Sequence, residues 1–268
     1  MNRIESSFKE LKNSGDKGVI PYLTVGYPSL EITEELVMAL AESGATMVEL
    51  GVPFSDPVAD GPVIQAASMR SLQNKTTLAD VLSLAKRLRE KLTIPLLIMT
   101  YYNPVYAYGI ERFIKEIKNS GIDGVIVPDL PLEESGPLAG SLKKENVQFI
   151  YMLSPTSTGQ RIITTVQKAS GFIYCVSTAG VTGARDTIPE EGLNLLARIR
   201  KLSKLPLALG FGISTPQQVT ALGEDADAVI IGSAIIKLIE EGGSKDQIKD
   251  RISTFLGGFK YGVNGKNF

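Results

Sequence analysis

Eight short apolar runs, each followed by a stretch of helical periodicity, constrain this chain more than any other feature of its sequence. The runs are GVIPYLTV (18–25), MVELGV (47–52), PLLIMTY (95–101), DGVIVPD (123–129), VQFIYML (147–153), GFIYCVS (171–177), LPLALGF (205–211) and DAVIIGS (227–233). They are rich in Val, Ile, Leu and aromatics and lack polar alternation, as parallel strands covered on both faces do. Between the first two, LEITEELVMALAESG carries apolar residues at three-and-four spacing and stops at Gly44. TTLADVLSLAKRLREKL opens on Thr77 as an N-cap and places Lys86, Arg87, Arg89 and Lys91 late, where the helix dipole favours cations. GIERFIKEIKNSG, PLEESGPLAGSLKKEN, STGQRIITTVQKASG, IPEEGLNLLARIRKL, TPQQVTALGED and SKDQIKDRISTFLGG continue the alternation. Eight β–α units in 268 residues predict a (β/α)8 TIM barrel, one domain over 1–268. An extra N-terminal helix is expected near residues 2–13, a short phosphate-binding helix after strand 8, and fraying in the tail KYGVNGKNF. A doubly wound open sheet is the alternative, but LTVGYPS after the first run is not its glycine-rich loop.

The absence of histidine narrows the chemistry. It removes the usual general base near neutral pH and every Ser–His or Cys–His nucleophile pair. With a single cysteine, Cys175, a zinc or other transition-metal site is not expected, and no disulfide can form within the chain. Cys175 reads as a small buried hydrophobe. A net charge of −1 with no basic block argues against nucleic acid. The N-terminus MNRIESSFKELKNSG has no apolar signal core, and no apolar run is long enough to span a membrane. The expectation is a soluble cytoplasmic protein.

In such a barrel the chemistry sits at the C-terminal ends of the strands. That rule sorts the polar residues. Glu49 ends strand 2, Asp56 and Asp60 lie in its loop, Asp129 ends strand 4, and Tyr174 lies in strand 6. No lysine ends a strand, so an imine mechanism is not expected. Two readings of Glu49 stand side by side: a reactive acid, or a buried acid tied to a structural arginine. On the residues alone Asp60 is a turn residue. Asp56 reads as structural or partner-facing, and Asp129 stays open.

GFGIST (210–215) and IGSAIIKLIEEG (231–242) close strands 7 and 8, where barrels frequently bind phosphate through loop amides and a helix N-terminus. Gly212 in the first loop, and Gly232 with Ser233 at the start of the second helical run, are the candidates; Gly183 in GVTGARD adds a third contact. Taken singly, glycines after strands are ordinary turn formers. Two such loops on adjacent strands favour phosphate. Arg185 is either a phosphate partner or a solvated loop charge.

The motifs PYLTVGYP, VELGVPFSDPVADGPVIQ, GVIVPDLPLEES, STAGVTGAR, GFGIST and IGSAII, in order from about residue 16 to 241, resemble the tryptophan synthase alpha chain family. The resemblance implies cleavage of indole-3-glycerol phosphate to indole and glyceraldehyde 3-phosphate. It also implies a beta-chain partner that holds pyridoxal phosphate, in an alpha2beta2 tetramer, with no cofactor on this chain. By motif position it gives Glu49 and Asp60 the catalytic roles. Tyr174, Gly183, Gly212, Gly232 and Ser233 match its substrate and phosphate positions, and Tyr22, Ile64, Met99, Ile126 and Phe211 its indole pocket. The loop STAGVTGARDTIP (177–189) is expected to act as a lid, with Thr182 touching the strand-2 loop. The implied reaction suits a chain without imidazole, because a protonated indole ring accepts the electrons of the breaking bond. Glu49, at the end of an apolar strand, is expected to have a raised pKa and to carry the proton. Asp60, in a loop expected to be wetter, should stay ionised and accept from the indole N1–H. The proline-rich loops after strands 2 and 4 share a rim that would suit docking. Alternatives are a freestanding indole-releasing lyase, a non-catalytic subunit that activates its partner, or a phosphate-barrel isomerase.

Overall fold

The computed structural model describes residues 2–177, 188–210, 212–222 and 225–263. The chain opens with α1 (Arg3–Ser14), β1 (Gly18–Thr24), α2 (Leu30–Glu42) and β2 (Val48–Gly51). Two helices, α3 (Pro62–Gln73) and α4 (Leu78–Arg89), lead to β3 (Leu96–Met99), and two more, α5 (Tyr102–Tyr108) and α6 (Ile110–Asn119), to β4 (Gly124–Ile126). Then come α7 (Gly136–Lys144), β5 (Gln148–Leu153), α8 (Gly159–Lys168), β6 (Ile173–Val176) and α9 (Glu190–Arg200). The last quarter holds β7 (Leu207–Gly210), α10 (Pro216–Ala221), β8 (Ala228–Ile231), α11 (Ser233–Glu240) and α12 (Lys245–Val263). The eight strands pair in parallel, each with the next, and β1 pairs with β8 to close the barrel. This is the expected (β/α)8 TIM barrel, with α1 and α11 as its additional first and late helices.

Two helices were not legible. α3 starts at Pro62, the favoured residue for a first helical turn, and α5 is a short aromatic helix behind β3. Several strands are shorter than their apolar runs. β4 stops at Ile126 although the run continues to Asp129, because Pro128 has no N–H to give a ladder. In the tail, α12 runs on through Val263.

The barrel floor is closed by α1. Asn2 caps it through a capping box with Glu5, and Ile4 and Phe8 are buried. Gly124 makes room for this plug: a Cβ there would lie 2.8 Å from Leu97 Cδ2 and 2.9 Å from Ile4 Cδ1. The same contact shows that Gly124 and Leu97 face the barrel interior. By strand alternation Ile126, Met99 and their register partners do too.

Two clasps of the same design lock the N-terminal ends of the strands on opposite sides. Arg89 donates to the carbonyls of Gly121, Leu92 and Ile94 and to Asp123 Oδ2 at 2.8 Å, and Asp123 Oδ2 accepts from Leu96 N–H at 3.0 Å. Arg200 donates to the carbonyls of Leu205 and Asp225 and to Asp227 Oδ2 at 2.6 Å, which accepts from Leu207 N–H at 2.8 Å. The first ties β3 to β4 and the second β7 to β8. They leave the opposite, C-terminal face to the chemistry.

Candidate functional site

Glu49 stands inside the barrel. Gly51, two residues on and on the same face of β2, lies under the Tyr22 ring: a Cβ there would be 2.1 Å from the Tyr22 hydroxyl. Register sets Glu49 between Tyr22 of β1 and Leu97 of β3. Its side chain is fully buried, and neither carboxyl oxygen has a hydrogen-bond partner among the described residues. Among the described residues no arginine meets it, so nothing there supports the reading of a structural ion pair. Burial, followed by the charge of Asp60, pushes its pKa up to about 8.

Asp60 differs from the expectation. Although Ser55, Asp56 and Val58 of its loop are exposed, Asp60 itself is not wet: the residue is 8 % exposed. Tyr101, just beyond β3, donates its hydroxyl to Asp60 Oδ2 at 2.9 Å and accepts from the Ala59 N–H at 3.1 Å. The Tyr101 ring stacks on Phe54 at 5.1 Å, and Ser68 of α3 receives the Phe54 N–H. Gln65 donates to the Asp60 carbonyl. The strand-2 loop is thereby pinned at both ends. Burial pushes the Asp60 pKa up to about 6, while the Tyr101 hydrogen bond opposes the rise. Asp60 is thus the more readily ionised of the two acids, and what favours its charge is a hydroxyl partner in place of the expected water. Tyr101 is the residue that sequence reasoning missed; its position just past the end of a barrel strand was the available signal.

The other residues fall around these two acids. Tyr174 of β6 lies against Gly210, where a Cβ would be 2.6 Å from its ring, and Glu49, Asp60 and Tyr22 all act on its hydroxyl, whose pKa is raised first by burial. Tyr22 is buried, and Thr24 donates to its hydroxyl at 3.4 Å. A Cβ at Gly232 would meet Ile64 Cδ1 at 3.3 Å and the Tyr22 ring at 3.4 Å, so the start of α11 touches the pocket wall. Met99 and Ile126 are buried and face inward from β3 and β4. Gly232 caps α11 without a side-chain hydrogen bond, followed by Ser233. The first N–H groups of that helix are thus not capped by a side chain, as an anion site requires. Gly212 has φ of +88°, a left-handed turn that suits glycine. Thr182, Gly183, Arg185 and Phe211, and most of the expected lid, lie outside the described residues.

A sequence model described as tryptophan synthase alpha chain matches residues 8–264. The chain belongs to this family. The tryptophan synthase alpha chain of Geotalea uraniireducens is 44 % identical over 263 residues, 98 % of each chain. The crystal structure of tryptophan synthase subunit alpha from Legionella pneumophila has 36 % identity and a TM-score of 0.88, covering 99 % of this chain and 100 % of that one. The tryptophan synthase complex of Pyrococcus furiosus gives 31 % identity and a TM-score of 0.83 over 92 % of this chain and 98 % of that one. The reaction of tryptophan synthase alpha chains is a lyase step of tryptophan biosynthesis, the retro-aldol cleavage of indole-3-glycerol phosphate, and this chain carries it out. The isomerase alternative is thereby set aside. The alpha chain family also implies a beta-chain partner.

Around the site, Asp56 is exposed and Asp129 accepts from the Tyr102 N–H at the start of α5. Both are rim residues, outside the acid pair. Cys175 is buried, as expected. Among the described residues no group of three or more His, Cys, Asp or Glu side chains could hold a metal ion, and no helix is long and apolar enough to cross a membrane.

Proposed function

We propose that Glu49 and Asp60 divide the work of this cleavage. Protonated Glu49 delivers its proton to indole C3, giving a cationic indolenine. The bond between C3 and the hydroxyl-bearing side-chain carbon then breaks, and its electron pair returns to the ring. That carbon becomes the aldehyde as its hydroxyl proton passes to the Glu49 carboxylate, which restores the acid. Ionised Asp60 accepts from the indole N1–H and stabilises the cation. Positioned acid–base catalysis is worth roughly 10²–10⁴ in rate. A carboxylate about 4 Å from the cation adds up to ~4 kcal/mol at an effective dielectric of 20. One observation carries the reading: a carboxyl inside the barrel whose two oxygens have no partner among the described residues.

Tyr22, Ile64, Met99, Ile126, Tyr174 and Phe211 are the indole pocket in this reading, and Gly183, Gly212, Gly232 and Ser233 hold the phosphate. Thr182 closes over the substrate from the lid. The test is indole release from indole-3-glycerol phosphate by the wild type, Glu49→Gln and Asp60→Asn. Turnover by Glu49→Gln near the wild-type rate is the outcome that would sink the scheme.

The rim that surrounds the barrel mouth supports a catalytic subunit that docks a partner. Val58 in the strand-2 loop is 81 % exposed and Tyr106 of α5 is 68 % exposed, beside the exposed acids Asp56, Asp129 and Glu133. Exposed apolar side chains among acids on the loops of one rim suit an interaction site. We read the chain as one domain that works in the cytoplasm in an alpha2beta2 tetramer, with pyridoxal phosphate on the beta chain. Size-exclusion chromatography with a beta chain tests this. A Val58→Glu chain that still co-elutes with it would count against the rim.

A further inference from the structure

We propose that Gln218 is a positioning residue for the loop between β7 and α10, aiming a backbone N–H of that loop at the substrate phosphate. The proposal rests on the reading that this loop holds the phosphate. Gln218 is 3 % exposed and lies in the first turn of α10. Its Oε1 accepts from the Ser214 N–H at 2.7 Å and the Thr215 N–H at 2.9 Å, and its Nε2 donates to the Gly212 carbonyl at 3.3 Å.

Two consequences follow from this geometry. First, the Ser214 and Thr215 amides are occupied by Oε1, which leaves Gly212 and Ile213, among the described residues of this loop, as the amides it can offer an anion. Second, in a trans peptide the carbonyl and the next N–H point in opposite directions. Holding the Gly212 carbonyl toward Gln218, on the outer helix, therefore turns the Ile213 N–H away from α10. Gly212, with φ of +88°, sits at the turn that makes this possible. A side chain that only capped α10 would need the Thr215 contact, part of its capping box, and not the bond back to Gly212.

The experiment compares the two halves of the substrate as separate inhibitors of the full chain, glycerol 3-phosphate and indole. In Gln218→Leu we expect glycerol 3-phosphate inhibition to weaken and the KM for indole-3-glycerol phosphate to rise, each about tenfold, the effect of one misaligned hydrogen bond. Inhibition by indole and kcat should stay within about twofold of wild type, on the same tenfold scale. Should Gln218→Leu fail to fold, Gln218→Glu keeps the acceptor for both amides, loses the donor to Gly212, and is expected to show the same split. Unchanged glycerol 3-phosphate inhibition, or an equal loss for both inhibitors, overturns the proposal. A wild-type chain that glycerol 3-phosphate does not inhibit removes the phosphate-loop reading itself, separately from Gln218.

Discussion

Replacing Glu49 by Gln should cost the enzyme its turnover and make it more stable in alkaline solution. The folded protein holds this carboxyl neutral up to about pH 8, whereas an exposed glutamate ionises near the ordinary value of 4.5. The folded state therefore keeps a proton that the unfolded chain releases, and the stability this represents is fully present below about pH 4.5 and is lost as pH rises toward 8. At 1.36 kcal/mol per pH unit, the loss is about 3 kcal/mol by pH 7 and approaches about 5 kcal/mol above pH 8. That is a large part of the roughly 5–15 kcal/mol by which domains are stable. Glutamine has nearly the same shape and cannot ionise. Its amide is as unpartnered as the protonated acid, so near pH 5 the two proteins should differ little.

The assay is urea denaturation of both proteins from pH 5 to pH 9.5, beside indole release. The wild-type curve should fall with pH relative to the variant, and the gap should level off above pH 8. Turnover of the variant should drop by about 10²–10⁴, the range for a removed general acid. Parallel stability curves would refute the reasoning at its root, because Glu49 would then pay no desolvation penalty when charged.

The same acids predict a bell-shaped profile of kcat/KM, rising through about pH 6 as Asp60 ionises and falling through about pH 8 as Glu49 loses its proton, apparent values that belong to the pair; a flat profile across this range would contradict the division of roles. Tyr101→Phe removes the hydrogen bond that holds the Asp60 pKa down, so the acid limb should move to higher pH; an unmoved acid limb would mean the hydroxyl does not act on Asp60. Asp123→Ala leaves Arg89 partly buried without its carboxylate and should cost about 3–5 kcal/mol in urea denaturation. Asp227→Ala should cost less, since its side chain is 37 % exposed against 4 % for Asp123, and equal losses would show that exposure does not grade the two clasps.

The barrel was legible because parallel strands covered on both faces leave unbroken apolar runs, and each run in this chain did become a strand. The additional helices were harder for a local reason. α3 buries Ala67, Ser68 and Ser71, small residues on a helix that packs against β1 and α11, and they give no clear apolar stripe. The clasps were written in the chain twice, as Arg89 before Ile-Pro-Leu and Arg200 before Leu-Pro-Leu. Their partners, Asp123 and Asp227, stand one strand further on, so each pair exists only once the strands are side by side.

The environment of the acids lay further from view. Glu49 owes its raised pKa to burial first and to the Asp60 charge second, with no partner for its oxygens among the described residues, and a sequence with arginines in many helices cannot announce that lack. Asp60 has glycine and proline around it in sequence, which suggested water, and Tyr101 and Phe54 around it in space. Both acids suffer desolvation, and desolvation alone would drive both toward the neutral form. Two neutral acids could not stabilise a cation. Asp60 starts from a lower ordinary value and is less deeply buried, and Tyr101 gives it a hydrogen bond that Glu49 lacks; the charge thereby favoured on Asp60 pushes Glu49 further up. In the proposed division of work, the acid that keeps its proton and the acid that keeps its charge thus differ partly through one hydroxyl placed beyond a neighbouring strand, a contact that exists only in the folded barrel.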